Sequence, residues 1–414
     1  MFTKKNIDVE IFCGSKIALK MKGDYFVGES QRRLSGAWCA SIYDNKILLE
    51  DDIEIIMSSE DVCLTPVSVE HTGFLLGSDH RGSRFSEQMF KGNILLQRKK
   101  EEIVIVNEVD IESFVTSILC NRFPKSTQIE YLKVQAVTLR SSSIALAMSD
   151  HKRVTTSVFK ESDYCSIFDF RPQKLIENYS GVSKVCNHQA HDAVKGTKGM
   201  ALVYHDSVSY IPQTLCCGGI TENADAGLAS VFDAELFNNI DLSINDHMEQ
   251  WIYSASHSYC NVDAVSAMED LTWGSKIDLS EAYRWKRNVE IVYFNALLRN
   301  KFDINIGNFQ TMEIVERGAS GIVKAVLVGG DACEVVLKQD DLDYLMVLLD
   351  LPSRSFVVEV NLEEEEPTLE LNGAGMGVGQ GICNVGAFAM AQQGKSMSDI
   401  FQHYLPEYML EKQY

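Results

Sequence analysis

The stretch that decides the fold runs from Val106 to Ser143 and reads VNEVDIESFVTSILCNRFPKSTQIEYLKVQAVTLRSSS. In its first half, apolar residues recur at the spacing of an amphipathic helix, at Ile111, Phe114, Val115, Ile118 and Leu119. Asp110 stands immediately before them, where a helix N-cap belongs. The pattern predicts a helix from Ile111 to Cys120.

The second half of the stretch predicts another helix, from Thr127 to Leu146. Thr127 and Glu130 have the spacing of a capping box, and the apolar stripe resumes at Ile129, Leu132, Ala136 and Val137. Pro124 disfavours helical geometry at Phe123, so the first helix must end before it. We therefore expect residues 121–126 to form a short exposed corner that presents Arg122 rigidly between two buried helices.

Strand patterns surround the two helices. Ile103–Val106 and Ala201–Tyr204 are apolar and expected to share the sheet on which both helices pack. Residues 1–85 alternate short apolar runs with polar breaks, which predicts a β-rich N-terminal lobe. Further along, we expect helices at Asp246–Ser254, at Leu279–Tyr283 and from Glu290, and strands at Ile322–Val328, Phe356–Val360 and Leu369–Leu371.

Composition limits the classes of partner. The chain has 414 residues, 45% of them hydrophobic, which is enough for two or three domains with sizeable cores. A net charge of -20 argues against binding to nucleic acid or to anionic membranes, since both require a basic surface. The N-terminal residues lack the apolar run of a signal peptide, and no segment approaches a membrane span, so the default expectation is a cytoplasmic protein.

The helical stretch resembles the stage II sporulation protein D family, also called the amidase-enhancer family, whose best-studied members are lytic transglycosylases of bacterial peptidoglycan. The residues that carry the resemblance are Asn107, Glu112, Phe114, Phe123-Pro124, Glu130, Leu132-Lys133, Gln135-Ala136-Val137 and Arg140. The family places its catalytic glutamate immediately before the proline-containing corner, where this chain has Arg122. An arginine cannot exchange protons as that glutamate does.

Two glycine-rich segments extend the resemblance. Cys216 to Glu222 is similar to a family loop with paired glycines followed by Thr-Glu, and Leu371 to Gly394 is similar to its C-terminal glycine signature. Glycine at every second position would bare one face of an extended segment to another backbone or to a glycan. Together with the helical stretch, the resemblance implies these substrate-binding residues: Arg122, Gln135, Arg140, Cys217, Gly218, Gly219, Thr221, Gly375, Gly377 and Gly379.

The resemblance implies an α+β fold in which a mixed sheet carries packed helices, with a β-rich N-terminal lobe and an inserted mixed domain. The expected division is 1–85, 86–240, 241–350 and 351–414. Peptidoglycan strands or fragments are the expected ligand, with a cell-wall amidase as a further candidate partner. A cell-wall role would require export by another route, which conflicts with the cytoplasmic default.

Two hypotheses about activity follow from Arg122. In the first, the chain binds glycan or a partner protein and has lost catalysis, with no catalytic residue remaining. In the second, it is an active lytic transglycosylase in which a neighbouring acid, Glu108, Glu112 or Glu130, replaces the lost one. We favour the first, because Glu112 and Glu130 match family positions beside the usual acid.

No metal or other cofactor is expected. Eleven scattered cysteines indicate mostly reduced, buried thiols. The strongest candidate ligands are Cys186, His188 and His191, but their spacing matches neither the zinc pattern of the resembled family nor the paired CxxC of a zinc finger. Less than one zinc ion per chain is therefore expected.

Overall fold

The computed structural model describes residues 5–30, 32–77, 85–149, 154–155, 179–182, 187–222, 229–231, 240–254, 257–261, 279–363 and 365–414. These residues form two compact units. Those of the first unit lie within Met1–Phe159, Pro172–Ile211 and Tyr408–Tyr414, and those of the second within Pro212–Glu407. Each unit combines helices with sheets, so the predicted α+β class is confirmed. The division at residues 85, 240 and 350 stays a prediction.

The described strands between Asn6 and Thr155 form one large sheet. Its eleven strands have the order β11-β1-β10-β9-β6-β2-β3-β4-β5, with β7 pairing with β2 and β8. The strands are β1 (Asn6–Gly14), β2 (Lys16–Val27), β3 (Arg33–Tyr43), β4 (Lys46–Glu50), β5 (Ile55–Ser58), β6 (Val62–Pro66), β7 (Gly73–Gly77), β8 (Phe85–Phe90), β9 (Asn93–Lys99), β10 (Glu102–Asp110) and β11 (Val154–Thr155). The predicted β-rich character of residues 1–85 is confirmed.

Among the described residues of the first unit, helices form at α1 (Ile111–Arg122), α2 (Ile129–Met148) and α3 (His188–Gly196). Asp110 caps α1 as predicted, since its Oδ2 accepts from the backbone N–H of Ser113 at 2.9 Å. The predicted capping box of α2 is wrong, because Gln128 is its N-cap residue and makes no side-chain cap bond. The N–H of Thr127 instead closes a turn onto the carbonyl of Pro124, and Glu130 pairs with Lys133.

The expectation that Ile103–Val106 and Ala201–Tyr204 share a sheet is also wrong. The first lies in β10, whose two edges are taken by β1 and β9. The second lies in β12 (Met200–Tyr204), which pairs with β13 (Ser207–Val208) and β24 (Met409–Lys412) in a separate sheet. Helix α2 packs against α1, α3 and β12, so the predicted contact between the two helices is confirmed.

Buried hydrogen bonds fix β10 to the turn between β8 and β9. The Nδ2 of Asn107 donates to the carbonyls of Lys91 (2.8 Å) and Asn93 (3.1 Å), and its Oδ1 accepts from the hydroxyl of Tyr179 at 2.6 Å. Asn107 is fully buried, and the Tyr179 ring packs on Phe114 of α1 with ring centroids 4.9 Å apart. Asn107 therefore stabilises the sheet beneath α1.

We expect Tyr179→Phe to lower the free energy of unfolding by about 1–3 kcal/mol, because it leaves the buried Oδ1 of Asn107 without this donor while preserving the ring contacts. The measurement is urea unfolding of the purified chain. Tyr43→Phe, at a side chain that is 65% exposed, is the control and should change the value by less than about 0.5 kcal/mol. Equal losses in the two variants would contradict this role for Tyr179.

The second unit is built around two three-stranded sheets, β17-β22-β21 and β18-β19-β20. Two-stranded pairs β14-β23 and β15-β16 complete its described strands. The strands are β14 (Gln213–Thr214), β15 (Ile220–Glu222), β16 (Ala229–Val231), β17 (Arg284–Glu290), β18 (Phe309–Arg317), β19 (Val323–Gly330), β20 (Glu334–Lys338), β21 (Phe356–Asn361), β22 (Thr368–Ala374) and β23 (Ile382–Cys383).

The described helices of the second unit are α4 (Asn245–Tyr253), α5 (Ile291–Phe302), α6 (Asp340–Leu348), α7 (Asn384–Gln392) and α8 (Met397–Tyr404). Helices α5 and α6 contribute Phe294, Leu298, Leu342 and Leu345 to one hydrophobic core with both three-stranded sheets. The predicted helices at Asp246 and after Glu290 and the strand at Ile322–Val328 are confirmed, whereas Leu279–Glu281 forms only a single 3-10 turn. Among the described residues, no helix has the length and apolar character needed to cross a membrane.

Candidate functional site

Arg122 is buried, which contradicts the expectation of an exposed arginine at the corner. Its side chain is 7% exposed, and its guanidinium carbon lies 5.9 Å from the centroid of the Phe123 ring. Burial lowers the pKa of Arg122 well below its usual range, against an opposing contribution from Tyr131. The physical reason is that α1 continues to Arg122, so this residue belongs to the last helical turn and not to the loop. The extended backbone begins at Phe123, as Pro124 predicts.

Glu112 and Arg140 form a buried ion pair between α1 and α2. The Nη2 and Nε of Arg140 donate to the two carboxylate oxygens of Glu112 at 2.6 and 3.1 Å. The Arg140 side chain is fully buried, and its Nη1 donates to the carbonyl of Met200 at 3.0 Å. The resemblance places Arg140 among substrate-binding residues, but this geometry directs its donors to the protein itself.

Two more donors converge on the Glu112 carboxylate. The backbone N–H of Gly199 and the hydroxyl of Tyr414 donate to its Oε1 at 3.0 and 2.6 Å. Burial and this carboxylate raise the pKa of Tyr414, so the phenol stays a hydrogen-bond donor. Both oxygens of this carboxylate are thus occupied by a bidentate arginine and two further protein donors. Glu112 therefore joins α1, α2, the start of β12 and the end of the first unit.

The other proposed substitute acids also have protein partners. Glu130 accepts from Lys133 Nζ at 2.6 Å on the surface of α2, with 28% of each side chain exposed. Glu108 accepts from Asn93 Nδ2 at 2.7 Å in the strand layer. Gln135, another residue implied by the resemblance, is 1% exposed in the middle of α2. Glu130 and Glu108 are therefore both engaged by protein side chains.

A cavity of about 330 Å³ lies beside α1 in the first unit. Helix α1 contributes three hydroxyl-bearing residues to its wall, Ser113, Thr116 and Ser117, and the charged or titratable residues of the wall include Lys91, Glu112 and His191. The sequence analysis missed these wall residues, although their spacing could have identified them. Positions 113, 116 and 117 have i, i+3, i+4 spacing, which places them on one face of a helix.

In the second unit, the two glycine-rich segments contact each other. The backbones of Cys216 and Met376 exchange hydrogen bonds of 3.0 and 2.7 Å, and Gly218 approaches Gly375 so closely that a Cβ on it would lie 2.5 Å from the Gly375 nitrogen. The hydroxyl of Thr221 lies 3.1 and 3.0 Å from the carbonyls of Gly379 and Gly381. The glycine face that we expected to be open to a glycan is thus covered by backbone of the same unit.

The glycine signature is not an extended segment, as the sequence analysis expected. Four of its glycines have positive φ, namely Gly375 (81°), Gly377 (110°), Gly379 (69°) and Gly381 (66°). These angles lie in the region that only glycine adopts without strain. The residue type is therefore required by chain geometry, and the contacts of Cys217, Gly218 and Thr221 are with this segment or with neighbouring protein groups.

A cluster of four cysteines lies in the core of the second unit. The sulfurs of Cys216, Cys260 and Cys383 all lie within 4.8 Å of one another, and the Cys217 sulfur is 3.6 Å from that of Cys260. Burial, followed by the neighbouring thiols, raises the pKa of Cys216 and of Cys217 well above the usual range. Burial acts in the same direction on Cys260, but hydrogen bonds from the other thiols and Ser258 outweigh it and hold the pKa of Cys260 well below its usual range.

The sequence analysis missed this cluster because Cys260 and Cys383 lie 43 and 166 residues after Cys217, with no CxxC spacing to reveal them. Of the ligands that were considered, Cys186 lies outside the described residues, and His188 and His191 are exposed on α3.

Comparison with protein families shows what the first unit contains. Residues 99–204 match the family described as Stage II sporulation protein. The chain carries a SpoIID domain. The match spans β10, α1, α2 and β12, and it therefore includes Glu112, Arg122 and Arg140. The resemblance carried by the helical stretch is thus confirmed.

A second family covers much of the rest. Residues 226–381 match a Domain of unknown function (DUF8618), which follows the SpoIID domain in the chain. Gly375, Gly377 and Gly379 lie inside this second match, whereas Cys217 to Thr221 lie in neither. The chain is also similar to an uncharacterized protein of Brachyspira hyodysenteriae, with 22% identity over 315 residues, covering 76% of this chain and 70% of that protein. The SpoIID domain indicates a function related to sporulation or the cell wall.

Proposed function

We propose that this chain is a SpoIID-type protein of the bacterial cell wall that binds peptidoglycan strands or fragments without cleaving them. The proposal rests on the side chain at the family's acid position, Arg122, and on the contacts of the neighbouring carboxylates. Lytic cleavage requires one carboxyl group that first donates a proton to the leaving oxygen and then accepts one from the sugar. By the resemblance, Arg122 stands at the family position of that acid; its side chain is buried, and a guanidinium has no such chemistry.

The enzyme alternative with Glu112 as substitute acid finds little support in its contacts. Four donors, two of them from Arg140, surround the Glu112 carboxylate. Protonating it would break a bidentate ion pair around a fully buried guanidinium, which costs several kcal/mol. Glu130 is paired with Lys133 on a helix surface, where 28% of its side chain is exposed, unlike the enclosed carboxyl groups typical of acid catalysis.

The cavity beside α1 is the best-supported place for a ligand in the first unit. Its hydroxyl groups on α1 can exchange hydrogen bonds with sugar hydroxyls, and Lys91 can pair with the lactyl or peptide carboxylates of peptidoglycan. The Glu112 carboxylate also lines the cavity, with its charge paired by Arg140. The residues implied by the resemblance, including Gln135, Arg140 and Thr221, then stabilise the two units and do not touch the ligand.

We expect Lys91→Ala to weaken binding of soluble peptidoglycan fragments roughly tenfold, the cost of one charge-assisted hydrogen bond. Isothermal titration with purified muropeptides measures this directly. Lys125→Ala is the matched control, because Lys125 is an exposed lysine of the same unit that does not line the cavity. Unchanged affinity of the Lys91 variant, with thermal unfolding confirming that it is folded, would contradict the proposed location.

A further inference from the structure

Three distant segments of the second unit bring their cysteines together. Cys216 and Cys217 precede the Gly218-Gly219 turn, Cys260 lies in a short turn after α4, and Cys383 ends β23 and caps α7. All four side chains are buried, with exposed fractions of 1%, 4%, 3% and 0%. Free cysteines are often buried singly, but three sulfurs within 4.8 Å of one another, with a fourth 3.6 Å from one of them, are a specific arrangement.

The distances fit a single tetrahedral ion. A zinc ion bound by thiolates at about 2.3 Å requires ligand sulfurs that are about 3.8 Å apart. Cys217 and Cys260 already have a sulfur separation of 3.6 Å, and the mutual separations of Cys216, Cys260 and Cys383 are all within 4.8 Å. Rotation of the side chains about χ1 would bring the sulfurs from these separations to the tetrahedral distance. Tetrahedral sites built only from thiolates are typical of zinc or iron.

Two of the four sulfurs, those of Cys383 and Cys260, have hydrogen-bond donors beside them. The Cys383 sulfur accepts from the backbone N–H groups of Cys217 (3.3 Å) and Gly386 (3.4 Å), and it lies at the N-terminus of the nine-residue helix α7. Both contacts stabilise negative charge on sulfur. Ser258 Oγ lies 3.0 Å from the Cys260 sulfur. Metal-bound ligands are commonly oriented by such outer hydrogen bonds.

We propose that Cys216, Cys217, Cys260 and Cys383 bind one zinc ion in a closed, structural site. With four thiolate ligands and no open coordination position, the ion has no catalytic role. It holds the three segments together. This inference replaces our expectation that the chain lacks stoichiometric zinc, which rested on Cys186, His188 and His191. It is independent of glycan binding in the first unit.

The test is elemental analysis of the full chain, purified under reducing, anaerobic conditions with a tag that contains no histidines. We expect one zinc ion per chain. Cys260→Ser and Cys383→Ser should each lose at least half of the metal, whereas the control Cys39→Ser, at a buried thiol of the first unit, should retain it. Iron in place of zinc, no metal, or a Cys217–Cys260 disulfide found by peptide mapping would overturn the proposal.

A second measurement covers the case in which the serine variants fail to fold. The unaltered chain, stripped with a chelator and titrated with Co²⁺ alone, should develop the intense sulfur-to-cobalt absorption of tetrahedral thiolate coordination at one equivalent. It should also unfold at a lower temperature when stripped than when reloaded with zinc. A cobalt spectrum without sulfur charge transfer, or equal unfolding temperatures, would contradict the site.

Discussion

Replacing Glu112 with alanine is expected to lower the free energy of unfolding of the first unit by about 3–5 kcal/mol, because it leaves the fully buried guanidinium of Arg140 without its counter-ion. The same change removes the acceptor of Gly199 and Tyr414. Urea unfolding of the purified chain measures the loss. If Glu112 were a catalytic acid instead, its removal would cost activity and little stability.

The chain offers a matched control for this change. Glu130→Ala removes a carboxylate of the same domain whose pair with Lys133 is partly exposed, so the expected loss is only about 0–1 kcal/mol. Tyr414→Phe is expected to fall between the two, since it removes one donor and keeps the ion pair. Similar values for Glu112→Ala and Glu130→Ala would show that the buried pair does not have the structural role described here.

The second large effect is expected from Gly381→Ala, which should lower the free energy of unfolding by about 4 kcal/mol or prevent folding of the second unit. Gly381 has a φ of +66°, and a Cβ there would lie 2.0 Å from the carbonyl oxygen of Pro212. The backbone cannot retreat easily, because the Gly381 N–H and the Ile382 N–H bond to Glu222 and Pro212.

Gly394→Ala is the control that separates backbone strain from steric crowding at Gly381. Gly394 has a similar φ of +81°, but no atom lies within 4 Å of the position of a Cβ. Its replacement should therefore cost only the strain of the left-handed conformation, about 1–2 kcal/mol. If Gly381→Ala instead folded normally and lost glycan binding, the glycine signature would be a ligand surface, as the resemblance implied.

Features set by local interactions could be predicted from the sequence. The 3.6-residue period located α1 and α2, Asp110 marked the start of α1, and Pro124 marked the end of helical geometry at Phe123. The predicted capping box at Thr127 failed because a turn onto Pro124 competes for the same backbone N–H. Local patterns of this kind depend on neighbours in the chain, which the sequence contains.

Features set by distant contacts could not be predicted. The partners of Glu112 lie 28, 87 and 302 residues away, so no spacing in the sequence distinguishes a structural carboxylate from a catalytic one. The burial of Arg122 depends in the same way on how the helices pack. The cysteine cluster joins residues from three segments, and only their convergence in the fold identifies them as a possible set of ligands.

The most direct test of binding without cleavage is mass spectrometry of purified peptidoglycan after prolonged incubation with the chain. The account predicts that the protein is recovered with the glycan and that no 1,6-anhydro ends form. Glu112→Gln and Glu130→Gln, each verified as folded by thermal unfolding, serve as comparison variants. Anhydro ends released by the unaltered protein and abolished in either variant would contradict the account and support the enzyme alternative.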